Sequence, residues 1–393
     1  MKEKLLFISA ENPFPQDSGG KLRTGNILNI LLAKYDVDLV TYRRDKPAAP
    51  AAPVDKAIVH EVERTMTYRK AMLRSLYKLR NCSYMSHIDV DMKNKIWELC
   101  RSKKYRNVFI SHSLLGSCID IVKSALPKAN IITDAHNYES GLSAQLAGKK
   151  KGIQRLYFKL NVLWTRRDEL KLMNKTDLLL TTSENDGLSF KRLSPRNSGK
   201  VHVIPNFISI SAYTSGEPAV KENWIILPGN MNYFPNVNAA QYFYREIYPL
   251  VKARIPEVKW YIVGRDVHPE VEALAALDDS IVITGYVSSV ADYIRRSKVV
   301  IAPLLEGSGT RLKILESWAL NTPVVSTSVG AEGLLYEDAY DIMIADNAAE
   351  FADKVVRLFQ DYELNVHVAG HAMQTLMTHY EAGSVKEKVL SLV

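Results

Sequence analysis

The sequence predicts an α/β protein made of two doubly wound, parallel-sheet domains, and three observations predict it. Short apolar, β-branched runs alternate with segments of helical periodicity, and the alternation restarts at Trp224. A length of 393 residues suits two domains of ordinary size. The stretch Val299 to Gly330 then reads as one complete unit of strand, glycine turn, helix and next strand.

Composition narrows the function classes. The chain is 47% hydrophobic and 24% charged, which implies a globular core rather than disorder. No apolar run approaches the ~20 residues of a membrane span. Leu5 to Ala10 follows lysines but is too short for a signal peptide. Cys82, Cys100 and Cys118 are odd in number and widely spaced, which points to reduced thiols and a cytoplasmic location. The net charge of +8 is unevenly placed. Arg64, Arg69, Lys70, Arg74, Lys78 and Arg80 form one basic cluster, and Lys149, Lys150, Lys151, Arg155, Arg166 and Arg167 another. Apolar residues interleave both. Such segments are either the solvated faces of core helices or contacts with an anionic membrane surface. No nucleic-acid-binding module is visible.

In chain order, Lys4 to Ser9 is the first strand, and Ser18-Gly19-Gly20 ends a loop before a helix from Leu22 to Ala33. Val37 to Tyr42 and Ala57 to Val62 are strands joined by a stiff Pro/Ala connector, Lys46 to Pro53. Asn107 to Ser111 and Asn130 to Thr133 are short buried strands, each followed by a histidine, His112 and His136. Polar residues just past the carboxyl ends of parallel strands are where such sheets place ligands. His136 could equally be a helix-start residue satisfied by backbone. Ile153 to Asn174 reads as a long basic amphipathic helix, and Asp177 to Thr181 and Val201 to Ile204 as strands.

Ile208 to Asn223 is a polar linker. The second domain brings Trp224 to Leu227 as a strand, a loop with Gly229 and Asn230, and a helix from Val237 to Lys252. Lys259 to Val263 with Gly264, Ile281 to Thr284 with Gly285, and Asp341 to Ala345 are further strands. His367 and His371 share one helix face, but without a third ligand or an H-E-x-x-H context they are not read as a metal site.

Val299 to Ala302 is a buried strand; Gly307, Ser308 and Gly309 turn the chain. Thr310 is a fair N-cap for a helix from Arg311 to Leu320, and Val324 to Ser326 is the next strand. Backbone N–H groups and the helix dipole converge at that helix start, which suits a phosphate. Glu316 lies about 9 Å further along the axis, at 1.5 Å per residue, roughly the reach from a diphosphate to its ribose. The same residues also suit an ordinary βαβ unit with a solvated charged face.

This stretch resembles the nucleotide-sugar motif of the retaining family 4 glycosyltransferases. Their usual text is E-G-F-G-L-P-P-L-E-A-M-A-x-G-x-P-V-V. Glu316 and the following S-W-A-L-N-T-P-V-V match its second glutamate and tail, and Gly309, Lys313 and Glu316 match the G-x-x-x-K-x-x-E of some relatives. Ser308 stands where the first glutamate falls, with Glu306 two residues earlier. D-A-H-N-Y-E around His136, T-D-L-L-L-T-T-S-E-N-D and V-I-P-N-F-I also resemble family text.

The resemblance implies the GT-B fold, two Rossmann-like domains facing across a cleft. The expected boundaries are 1–207 plus about 376–393 for the acceptor-side domain, and 208–375 for the donor domain. The implied reaction moves a sugar from a nucleotide-sugar, with retention, to a glycan or lipid-linked polysaccharide acceptor. By resemblance Glu316 binds ribose, while Ser308, Gly309, Thr310, Arg311 and Lys313 face the diphosphate and sugar. Gly19, Gly20, Gly229, Asn230, Gly264, Tyr286 and Val287 complete the donor site. His136, His112 and Asn137 form the acceptor side. UDP is the default base, no metal is expected, and the location is cytoplasmic or peripheral on the inner leaflet. A nucleotide-sugar 2-epimerase of the same fold and a catalytically silent scaffold subunit are the alternatives.

Overall fold

The computed structural model describes residues 2–16, 18–43, 57–149, 151–213, 219–307 and 311–393. The expected Pro/Ala connector and the motif residues Ser308, Gly309 and Thr310 lie outside them. The chain forms two compact units, Met1–Pro205 with Lys386–Val393, and Asn206–Val385. The terminal segment expected to return from about residue 376 joins the first unit only from Lys386. The helix Tyr362–His379 stays with the second unit, where it buries Val368, Ala372 and Leu376.

In the first unit the strands are β1 (Glu3–Ser9), β2 (Tyr35–Tyr42), β3 (Ala57–Val62), β4 (Asn107–Ser111), β5 (Asn130–Ala135), β6 (Leu178–Thr181) and β7 (Val201–Val203). They form one sheet in the order β3-β2-β1-β4-β5-β6-β7, and every pairing is parallel. Leu5 to Ile8 and Val108 to Ile110 are fully buried. Helices cover both faces of such a sheet, so its central strands read as unbroken apolar runs instead of alternating ones.

The second unit has β8 (Glu222–Pro228), β9 (Lys259–Val263), β10 (Ile281–Gly285), β11 (Ser297–Ala302), β12 (Val324–Ser326) and β13 (Met343–Ile344). Their order is β10-β9-β8-β11-β12-β13, again parallel throughout. Strand order therefore reverses between β1 and β4 in one unit and between β8 and β11 in the other. At each reversal the connections leave in opposite directions and open a crevice beyond the strand carboxyl ends.

Three elements differ from expectation in their bounds or continuity. The helix after β1 runs Gly19–Lys34, so the glycine pair is its first turn and not a loop. Ser18 caps it by accepting from the Lys21 amide. The helix expected over Val237–Lys252 is three pieces, Phe234–Tyr242, a π-turn Phe243–Ile247 and Tyr248–Arg254. Pro249 has no amide to donate to the preceding turn, which favours that widening. The late strand shrinks to Met343–Ile344.

The helix Gly152–Lys175 turns polar residues toward the core beside its apolar Leu172 and Met173. It buries Asn161, Thr165, Asp168 and Glu169, while Leu156 and Leu163 are 60% and 62% exposed. Three of these four polar side chains accept a hydrogen bond. Asn81 donates to the Thr165 hydroxyl at 2.7 Å, Arg80 to Asp168 at 3.0 Å, and the Ser140 amide to Glu169 at 3.1 Å.

Candidate functional site

The first cluster lies past the carboxyl ends of β4 and β5. Asp134, fully buried near the end of β5, receives Nε and Nη2 of Arg23 at 2.8 and 2.5 Å. Arg23 comes from the helix after β1, and its Nη1 donates to the Ile204 carbonyl at 2.9 Å. Burial alone would raise the Asp134 carboxyl, but the Arg23 charge and the His136 imidazole hold it well below the usual carboxylate range. His136 Nε2 stands 3.2 Å from Asp134 Oδ2, and its ring centroid is 4.7 Å from that of His112. A Cβ on Gly20 would sit 3.7 Å from His136 Nδ1. The first turn of the Gly19–Lys34 helix and the imidazole are thus neighbours.

His112 occupies a backbone region that non-glycine residues rarely adopt, with φ of 104°. Its Nδ1 accepts from the Leu114 amide at 3.2 Å, which leaves the ring hydrogen on Nε2. Nε2 faces Glu139 Oε1 at 3.8 Å. Asn137 donates to the same carboxyl oxygen at 3.3 Å. Burial, then the neighbouring His136 and His87, holds the His112 imidazolium well below its ordinary pKa. Burial pushes Glu139 up to about 7, with Asn137 opposing and Asp186 adding to it. The three acceptor-side residues named from sequence, His112, His136 and Asn137, are therefore gathered in one place. Arg23, Asp134 and Glu139 were not singled out. Asp134 and Glu139 sit inside the D-A-H-N-Y-E text, but only the fold reveals that Arg23 reaches Asp134.

The second cluster gathers at the ends of β8, β9 and β11. Gly229 and Gly264 have φ of 151° and 156°. The Gly229 amide donates to the Val263 carbonyl at 2.9 Å, and a Cβ on Gly264 would fall 1.7 Å from the Gly229 oxygen. Only glycine allows that approach. Lys313 enters the same spot from the helix Leu312–Ala319; its Nζ donates to Asn236 at 2.9 Å, and Asn236 donates to the Asn230 carbonyl at 2.8 Å. Burial, reinforced by Arg311, pushes the Lys313 amine down to about 7, against the pull of Glu316. Arg311 is buried, and its guanidinium lies against Gly307, where a Cβ would meet Nη2 at 2.7 Å. Two basic side chains and a glycine-lined backbone thus meet at the β8/β11 crevice.

Glu316 stands further along the same helix, and burial raises its carboxyl pKa. The Tyr213 hydroxyl donates to its Oε1 at 3.0 Å. Glu306, near the missing motif glutamate, is buried and accepts from Asn238. Tyr286 is 80% exposed and Val287 half-buried past β10, two strands away from β8. Neither is drawn into the Gly229–Lys313 group. Asn236 and Tyr213 were missed from sequence, since an Asn just before the expected helix start and a Tyr in a linker carry no signal of their own; the structure places Asn236 within the helix Phe234–Tyr242.

Among the described residues no group of three His, Cys, Asp or Glu side chains is arranged to hold a metal ion. His371 Nδ1 donates to the His367 carbonyl at 2.9 Å, and its ring packs at a tilt against Tyr340. No helix among the described residues is long and apolar enough to cross a membrane.

Comparison with known proteins bears on both units. Residues 222–361 match the family model described as glycosyl transferases group 1. A Klebsiella pneumoniae protein described as an uncharacterized 44.6 kDa protein in cps region is 22% identical, over 97% of each chain. Anabaena Alr3699/HepE in complex with UDP and glucose superposes with a TM-score of 0.72 at 12% identity, covering 99% of this chain and 98% of that one. Sucrose-phosphate synthase from Thermosynechococcus elongatus gives 0.70 at 14% identity, over 100% and 98%. Likenesses at these identities establish the shared architecture, two parallel-sheet α/β units of the GT-B kind.

Proposed function

We propose, from a chain that has the GT-B fold and a second unit matching the group 1 glycosyltransferases, that it transfers a sugar from a nucleotide-sugar donor to a glycan or lipid-linked acceptor. One observation carries the reading. Lys313, Arg311, Gly229 and Gly264 converge at the β8/β11 crevice, and Glu316 follows on the same helix. That is the layout a diphosphate and its ribose require, with donors and positive charge first and a carboxylate beyond.

UDP is the first candidate base, supported by the UDP-glucose and UDP complexes of the Anabaena relative. Breaking the sugar–phosphate bond leaves charge on the departing diphosphate. Arg311, Lys313 and the helix start would stabilise that charge, so no metal is assigned to it. A Lys313 amine near 7 without ligand would take up a proton when the diphosphate arrives. Retention follows most simply if the departing phosphate takes the acceptor's proton on the same face, because no nucleophilic side chain is assigned at the sugar. The acceptor side is read at His112, His136 and Asn137, with the donor-side turn of Gly19 and Gly20 beside His136.

The test is a thermal-shift panel of UDP, GDP, ADP, CMP and TDP on the parent and Glu316→Ala. Ligand at 100 times its dissociation constant stabilises by about 2.7 kcal/mol. One nucleotide should shift the parent and lose that effect in the variant. No shift with any nucleotide would move the silent-scaffold reading ahead, and donor isomerisation without acceptor would favour the epimerase. Turnover that collapses with EDTA would remove the metal-free reading, and a trapped glycosyl-enzyme adduct the front-face one.

A membrane-proximal acceptor is the accompanying proposal. Exposed Leu156 and Leu163 alternate with exposed Arg155, Lys159 and Arg166 on one helix, and Leu73 and Tyr77 with Arg74 and Lys78 on another. Leucines facing outward among cations suit the boundary of an anionic bilayer. Sedimentation with anionic vesicles should fall when Leu156 and Leu163 are changed to serine; unchanged sedimentation would refute the contact.

A further inference from the structure

We infer that Tyr213 is a positioning residue of the nucleotide site, holding one oxygen of Glu316 so that the other is presented to sugar hydroxyls. The inference rests on the reading of Glu316 as the ribose-binding carboxylate. Tyr213 follows the short turn Ile210–Ala212 in the segment that precedes β8. Its hydroxyl donates to Glu316 Oε1 at 3.0 Å. Its own carbonyl is held from behind, where Arg295 Nη2 donates at 2.9 Å. Arg295 is in turn tied by Nη1 to Asp292 at 2.8 Å. The chain Asp292–Arg295–Tyr213–Glu316 therefore links a helix, the linker and the carboxylate.

No described residue donates to Glu316 Oε2. Lys313, one turn earlier on the same helix, is directed to Asn236 instead. A carboxylate with one oxygen occupied keeps lone pairs on the other for two neighbouring hydroxyls. A ribose carries such a pair. The tyrosine restricts the carboxylate's rotation before ligand arrives, which lowers the ordering cost of binding.

Tyr213 also acts on the charge of Glu316. Burial raises the carboxyl pKa, while the Tyr213 hydrogen bond and then the Lys313 charge lower it. Tyr213 from the linker and Lys313 from the same helix are the groups that face it, with Arg295 and Asp292 behind the tyrosine. A donor to the charged form favours that form. Removing it raises the pH below which the carboxylate is lost.

The experiment is calorimetric binding of UDP, with ADP and GDP in parallel, across pH to parent, Tyr213→Phe and Glu316→Gln. Lys313 and Glu316 are both kept in Tyr213→Phe, so the lysine's titration is common to that variant and the parent, and the acid limb is compared between those two. Tyr213→Phe should shift the acid limb of binding to higher pH. Affinity should fall about tenfold near the limb, the loss of one charge-assisted hydrogen bond, and less at alkaline pH. Glu316→Gln should bind weakly with no such limb. The ligand-free melting temperature of Tyr213→Phe is the folding control. An unmoved limb in Tyr213→Phe, with Glu316→Gln still impaired, would reduce Tyr213 to packing and overturn this inference alone. Tighter binding at every pH would mean that the hydroxyl occupies the ribose's place, which overturns it too. If Glu316→Gln binds as the parent does, or nothing binds the parent, the reading of the site falls with it.

Discussion

Lys313 and Glu316 stand one turn apart, and burial works against the charge of both. For the lysine the consequence is a pH dependence with a definite sign. Its amine sits at about 7 in the folded chain, against 10.5 when exposed. Between those values the unfolded chain binds the extra proton, so ligand-free stability rises with pH across that window. Lys313→Met should remove this slope and stabilise the ligand-free protein at neutral pH. Each kcal/mol gained would raise the melting temperature by roughly 2–4 °C, measured as a function of pH. The same variant should lose most of its nucleotide-induced shift. A melting temperature that drops at neutral pH would show that the amine is stabilising where it stands. Neither direction is visible in the text L-K-I-L-E-S. A lysine and a glutamate on a helix look solvated until the strands beside them are known.

At the scale of the element, glycines that look alike in sequence differ in necessity. Gly264 ends β9 with a Cβ position 1.7 Å from a backbone oxygen. Gly264→Ala must push two strand ends apart, and urea denaturation should register a loss of about 3 kcal/mol. Gly20 lies in the first turn of a helix, with ordinary contact space at 3.7 Å. Gly20→Ala should cost nothing and could stabilise by up to about 1 kcal/mol, because a helical glycine holds more unfolded-state entropy. If transfer activity nevertheless falls in Gly20→Ala, that turn belongs to the site and not only to the scaffold. Equal losses of stability in both variants would contradict this distinction. The strands themselves were legible to within about two residues at each end, since a sheet covered on both faces writes its central strands as unbroken apolar runs. The helix Gly152–Lys175 was legible in its bounds but not in its burial, because Leu156 and Leu163 face outward while Asn161, Thr165, Asp168 and Glu169 are buried beside Leu172 and Met173.

For the whole molecule, each unit has its own sheet and its own buried core. Differential scanning calorimetry with saturating UDP should therefore displace the transition of residues 206–385 by the equivalent of about 2.7 kcal/mol at 100 times the dissociation constant. Hydrogen exchange should map the added protection to that unit. Protection confined to residues 1–205 would assign the nucleotide to the other crevice. What the sequence by itself determined is the alternation of elements, the restart that begins the second sheet, the positions of Gly229, Gly264, His112 and His136 at strand ends, and those of Lys313 and Glu316 on the helix that follows β11. Those follow from local periodicity and from the short range over which a strand, a turn and a helix start constrain one another. The tertiary structure alone decided the partners: Arg23 on Asp134, Asn236 on Lys313, Tyr213 on Glu316, and which face of the basic helix is buried. Each joins residues far apart in the chain. Burial and long-range hydrogen bonding set their chemistry, and neither leaves a periodic trace in the sequence.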